Sequence, residues 1–244
     1  MILIRVKDYQ EMSLKAANLI IDRVKNSSSL VLGLATGSTP IGLYEQLIED
    51  HKNNGTSYEH VKSVNLDEYI GLGGNHPQSY RYFMDHQLFN HINIRKENTF
   101  VPNGLAHDLE EECKNYEEII KNLGGIDIQI LGIGVNGHIG FNEPGTSFQS
   151  RTHVIDLAES TLEANSRFFD SLDEVPRQAI TMGIKTILES KQIILLATGA
   201  AKQEAIMKLF SGELTEEFPA SILKTHPNVI VIADEEACGL LPND

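Results

Sequence analysis

The chain has 244 residues, 41% of them hydrophobic, which is enough for one full-sized domain with a sizeable buried core. Its formal net charge of −14 argues against a nucleic-acid partner, because counterion release needs clustered Lys and Arg. Cys113 and Cys238 stand far apart without CxxC spacing, which speaks against a zinc site or a disulfide framework and fits a reducing, intracellular setting.

The amino terminus "MILIRVKDYQ" meets a charge at Arg5, too soon for a signal-peptide core, and no uncharged apolar run approaches membrane-spanning length. A soluble cytoplasmic protein without a membrane partner is expected. Leu14, Ala17, Ile21 and Val24 then share the spacing of one helix face. The run "SLVLGLA" follows as a buried strand and leads into "TGSTP", with Pro40 at the expected first helical position. Strand, glycine-rich turn and helix start together make an anion site, since free N–H groups and the helix dipole converge there. The same letters also suit a plain capped helix. Tyr44, Leu47 and Ile48 continue that helix.

The next strand, "VKSVNL", ends at Asp67, followed by "EYIGLGG". A carboxylate at the carboxyl edge of a sheet, among apolar or small neighbours, has its pKa raised by burial and suits a general base. The other reading is a turn aspartate bonded to its own backbone. Leu109, Cys113, Tyr116 and Ile120 form a third helix face, and "IDIQILGIG" a third strand.

That strand runs into "GIGVNGHIGFNEP", Gly132 to Pro144, where His138 falls at a ligand position. Pro144 biases Glu143 toward extended backbone, so the loop can fold the glutamate back onto the imidazole and orient it. A structural histidine in a turn is the alternative. With no HExxH or paired-His spacing, a metal is not expected.

Gly140 to Pro176 is the least regular portion and a candidate lid. Within it Arg167, in "ANSRFFD", either closes over a phosphate or makes a surface ion pair. The strand "QIILLATG" ends in "LLATGAAK", which places Lys202 in the first turn of the following helix, where a cation opposes the dipole unless an anion or solvent offsets it. Ala205, Ile206, Leu209 and Phe210 mark that helix face, and "NVIVIAD" the last strand. The alternation predicts a single α/β domain over residues 1–244, Rossmann-like, with a mainly parallel sheet and helices on both faces.

Taken together, "LATGSTP", "NLDEYIGL", "GIGVNGHIGFNEP", "SRFFD" and "ATGAAK" resemble the glucosamine-6-phosphate deaminases, the glucosamine/galactosamine-6-phosphate isomerase family of sugar catabolism. Related 6-phosphogluconolactonases share the fold and a Gly-His pair but neither the Phe-Asn-Glu-Pro continuation nor the Asp-Glu-Tyr segment. The resemblance implies a cofactor-free hydrolase turning glucosamine 6-phosphate and water into fructose 6-phosphate and ammonia. By matching position, His138 opens the sugar ring with Glu143 and Asn136 in support, and Asp67 moves the proton from C2 to C1. Thr36, Gly37, Ser38, Thr39, Arg167 and Lys202 match the phosphate ligands, with Gly132 a further substrate-binding position.

Three departures from the hexameric, allosteric members stand out. They carry aspartate where Asn136 stands and basic residues where His153 and Ile155 stand, and they extend beyond "CGLLPND". The resemblance therefore implies an enzyme without activation by N-acetylglucosamine 6-phosphate, as a monomer or small homo-oligomer with a small-molecule sugar phosphate as partner. A lactonase on the same scaffold, or a sugar-phosphate sensor without chemistry, are the rival readings.

Overall fold

In a computed structural model the described residues are 1–157, 169, 171 and 174–242. The short β-branched runs form strands because helices cover both of their faces, so every position along them gains from burial. Ten strands are described: β1 (Ile2–Val6), β2 (Leu30–Leu34), β3 (Val61–Asn65), β4 (Asp67–Tyr69), β5 (Thr99–Phe100), β6 (Ile128–Gly132), β7 (His153–Asp156), β8 (Gln178–Thr181), β9 (Gln192–Ala197) and β10 (Val229–Asp234). Seven of them make one sheet in the order β1-β10-β9-β6-β2-β3-β5, and every neighbouring pair in it is parallel.

The α-helices among the described residues are α1 (Tyr9–Lys25), α2 (Ile41–Asn54), α3 (Tyr80–Gln87), α4 (Leu109–Asn122), α5 (Ile184–Leu188) and α6 (Gln203–Ser211). One face of the sheet packs Leu32, Ile130, Ile194 and Ile232 against Met12, Ile20, Leu43 and Leu47 of α1 and α2. The other packs Val64, Leu131, Leu195 and Val231 against Tyr116, Ile206 and Leu209 of α4 and α6. The doubly wound α/β arrangement agrees with the sequence reading. From β2 the strand order runs outward in one direction through β3 and β5 and in the other through β6, β9 and β10. The β2 and β6 carboxyl ends thus flank the switch point, where chain leaving the two strands diverges and opens a crevice.

Several local expectations need correction. In α1 the buried face is Met12, Ala16, Ala17, Ile20 and Val24, whereas Leu14 is 46% exposed. Leu14 stands two residues after Met12, about 200° around the helix, so both cannot face the sheet. Pro40 is the residue before α2, which begins at Ile41. The amino-terminal residues, read only for a leader, form the edge strand β1 along β10. A second, antiparallel sheet, β4-β8-β7, was not foreseen. It pairs Asp67 with Thr181 and Thr181 with His153, so Asp67 opens a strand and is not a turn residue. It also gives regular structure to 153–156, inside the stretch read as irregular.

Candidate active site

The turn after β2 is built to leave amide groups free. Gly37 takes φ 89, a left-handed conformation that glycine adopts without Cβ strain. The Tyr9 hydroxyl of α1 braces the turn, donating to Ser38 O at 3.0 Å and accepting from Gly42 N at 2.7 Å. Among the described residues the amides of Gly37, Ser38 and Thr39 have no partner, and the first turn of α2 carries no acidic side chain. An anion placed there meets unspent donors and the positive end of a helix.

At the end of β6 the loop wraps its histidine tightly. A Cβ on Gly134 would sit 2.3 Å from the His138 ring, so the imidazole lies directly on glycine backbone. Gly134 N donates to His138 O at 2.9 Å, and Gly137 N to Gly134 O at 3.0 Å. Further along, the fully buried Asn142 pins the loop by donating to Ile139 O and Met182 O, both at 2.9 Å. Glu143 comes back to lie 3.3 Å from the shielded Nδ1 of His138. Its other oxygen accepts from Asn136 Nδ2 at 2.7 Å, while Asn136 Oδ1 accepts from His138 N at 3.2 Å. The His138 imidazole at 3.3 Å, and after it the hydrogen bond from Asn136, holds the Glu143 carboxyl below its ordinary pKa despite partial burial. A ring so placed keeps Nδ1 toward the carboxylate and leaves its other nitrogen for chemistry.

Asp67 lies on the opposite wall. It is 7% exposed, and among the described residues nothing donates a hydrogen bond to its carboxylate. Burial first, and the neighbouring Glu68 charge second, push its pKa up to about 8. An acid so placed is a stronger base once ionised. Gly140, at φ 58, brings the histidine loop alongside: a Cβ there would lie 3.1 Å from Thr181 Oγ1 and 3.7 Å from Asp67 Oδ2.

At the end of β9, Gly199 takes φ 87 and its amide donates to both oxygens of Asp234 at 3.1 Å. The turn delivers Lys202 at the end of a short 3-10 segment, immediately before α6 rather than within it. Burial lowers the Lys202 pKa, and among the described residues no carboxylate pairs with it.

These strand ends enclose one cavity of about 290 Å³, lined by Thr36 to Thr39, Asp67, Gly132, His138 and Lys202. Asn136 and Glu143 stand behind the imidazole rather than on the cavity surface. Arg167 lies outside the described residues, as does much of the candidate lid. Tyr80 and Phe141 also line the cavity, their rings stacked at 6.2 Å and 11°. Sequence reasoning missed both. The aromatic in "HIGFNEP" could have been noticed, but no spacing ties Tyr80 to Asp67 across the intervening loop. A larger cavity of about 660 Å³ lies beside Arg151 and Glu189, whose charges are already paired. Among the described residues no group of His, Cys, Asp and Glu is arranged to hold a metal ion.

The sequence profile of the family described as glucosamine-6-phosphate isomerases/6-phosphogluconolactonase matches residues 7–231. The chain belongs to that family. A glucosamine-6-phosphate deaminase of Geobacillus sp. (strain WCH70) is 59% identical over 242 residues, covering 99% of this chain and 96% of its own. A solved structure described as a monomeric glucosamine-6-phosphate deaminase superposes with a TM-score of 0.95 at 51% identity, covering 98% of this chain and 100% of that one. A 6-phosphogluconolactonase from Trypanosoma cruzi superposes at 0.80 with 20% identity, covering 99% and 97%, which shows the common fold of the glucosamine-6-phosphate isomerase/6-phosphogluconolactonase family and no more.

Proposed function

We propose that the chain is a glucosamine-6-phosphate deaminase, converting D-glucosamine 6-phosphate and water to D-fructose 6-phosphate and ammonia. The observation that carries the reading is the meeting of two separate proton-transfer groups, Asp67 and His138, in one cavity beside an anion-binding turn. Near-full-length similarity to deaminases supports it. The phosphate docks on the Thr36 to Thr39 amides with Lys202 and, by its match to the family's phosphate ligands, Arg167, while Gly132 leaves room for the sugar. His138, oriented by Glu143 and Asn136, takes the anomeric hydroxyl proton and returns it to the ring oxygen, opening the pyranose to the aldehyde.

Ionised Asp67 then takes the proton from C2 and returns it at C1, and with one ammonium proton passing to O1 this leaves a C1 hydroxyl and an iminium at C2. Water adds there, ammonia departs, and the C2 ketone of fructose 6-phosphate remains. Removing a proton next to a carbonyl calls for a positioned base, and the sequence needs no redox carrier, so the enzyme works without cofactor as a hydrolase. Ile155 packs against the apolar cluster of Tyr69, Leu157 and Ala179, and His153 is bonded to Arg151 O at 2.8 Å. Neither offers a phosphate site, which supports an enzyme that N-acetylglucosamine 6-phosphate does not activate, and the similarity to a deaminase described as monomeric supports a monomer or small homo-oligomer. A sugar-phosphate substrate and two buried, unbridged cysteines fit the cytoplasm.

The test is release of ammonia and fructose 6-phosphate from glucosamine 6-phosphate by metal-stripped protein, with and without the acetylated sugar. Equal release of both products, unchanged by that sugar, is expected. No release from folded protein that binds the sugar phosphate would replace the enzyme with a sensor.

A further inference from the structure

Glu68 is a charged residue that the proposed chemistry leaves without a task. It is 2% exposed and leaves β4 on the side opposite Asp67, as successive strand residues do. Three backbone amides converge on it: Tyr69 N at 2.8 Å, Tyr80 N at 2.9 Å and Arg81 N at 2.9 Å. Three N–H donors suit the carboxylate form, although burial pushes the Glu68 pKa up against them. Tyr80 and Arg81 are the first two residues of α3, and the third amide, Tyr82 N, goes to the cap Ser79 Oγ at 3.1 Å. The carboxylate therefore ties the start of α3 to the strand that carries Asp67 and complements the positive end of the helix.

What that tie holds in place is a wall of the cavity. The Tyr80 ring stacks on Phe141, lies 4.7 Å from the Tyr69 ring, and its hydroxyl donates to Tyr69 Oη at 3.1 Å. We propose that Glu68 is a positioning residue of this site, fixing Tyr80 as the wall beside Asp67 and acting on Asp67 through its own charge. The inference rests on the deaminase reading for its kinetic test. Besides Glu68, the groups facing Asp67 are Tyr69 on its own strand, Tyr80 on α3, Tyr116 on α4, and His138 and Lys202 across the cavity. Arg81 faces Glu68 but is also paired with Asp85 at 3.2 Å, so it offsets a Glu68 carboxylate only in part.

The two roles separate by substitution. Glu68→Gln keeps the size and removes the charge, its amide oxygen still accepting from Tyr69 N and Tyr80 N while its NH2 loses the bond from Arg81 N; Glu68→Asp keeps the charge and shortens the tie; Ser79→Ala weakens the same helix start with neither change. In Glu68→Gln the acidic limb of the kcat/KM profile moves to lower pH, since removing a like charge eases ionisation of Asp67. In Glu68→Asp the limb stays and KM rises about threefold to tenfold, whereas Ser79→Ala lowers thermal stability and leaves the limb in place. An unmoved limb in Glu68→Gln, or an equal move in Ser79→Ala, overturns the charge role. An unchanged KM in Glu68→Asp overturns the tie and, should Glu68→Gln fail to fold, decides against the proposal. If wild-type protein releases no ammonia, the deaminase reading fails by itself. Titration of the Asp67 carboxyl by ¹³C NMR, wild type against Glu68→Gln, then still decides the charge role: a lower midpoint in the variant is expected, and an equal one overturns it.

Discussion

Asn136 donates to Glu143 at 2.7 Å from the side away from His138. An aspartate in its place would set two carboxyl groups at hydrogen-bond distance, where they must share a proton. In Asn136→Asp the pair's folded pKa therefore rises above the unfolded value, so the variant keeps its stability at low pH and loses it as pH climbs through the raised value. Thermal unfolding at several pH values should show the melting temperature of Asn136→Asp falling against wild type between about pH 5 and pH 8. Parallel curves would contradict this.

Asp67 supplies a second pH signature. Its carboxyl is pushed up to about 8, and a base acts only when ionised, so wild-type kcat/KM should rise with pH and level off above about 8. Asp67→Asn should abolish this rise and cut ammonia release by about a thousandfold or more. A lactonase on the same scaffold would barely notice the change.

The same substitution should also alter stability. With its folded pKa raised, Asp67 favours the fold in its protonated form, so wild-type stability declines from about pH 4 as pH rises toward 8. Asp67→Asn removes that decline. Calorimetry should find the variant gaining on wild type as pH rises, and no gain would argue against a buried, hydrogen-bond-free carboxylate.

Lys202 is a partly buried cation without a carboxylate partner among the described residues. Lys202→Met should leave the free protein at least as stable, because it removes an uncompensated desolvated charge. The KM for the sugar phosphate should rise about tenfold or more, and the thermal stabilisation that inorganic phosphate gives wild type should shrink. Unaltered phosphate protection would place the anion elsewhere.

Gly134→Ala tests the seat of the imidazole. A methyl 2.3 Å from the ring forces His138 off Glu143 or shifts the loop, so turnover should fall steeply while circular dichroism stays native. Retained activity would mean that the histidine works from another orientation.

Much of this was determined by the sequence alone. Runs such as Ile193 to Ala197 are apolar at every position because both faces are covered, and that pattern is local enough to read as parallel α/β. The loop from Gly132 to Pro144 was equally legible: its glycines answer to left-handed turns and close backbone contact, and His138 and Glu143 lie few enough residues apart for one loop to join them.

Only the tertiary structure decided what depends on chain segments far apart. The three residues Asp67 to Tyr69 look like a turn until β8, more than a hundred residues on, supplies the antiparallel partner that makes them a strand. The buried face of α1 depends on where α2 and the sheet lie, which rotates Leu14 into solvent. Glu68 and Tyr80 gain their places because the chain leaves β4 and returns at α3, where a carboxylate meets open amide groups. Periodicity records which residues seek burial; the depth of Asp67, and the charge beside it, exist only once those segments have packed.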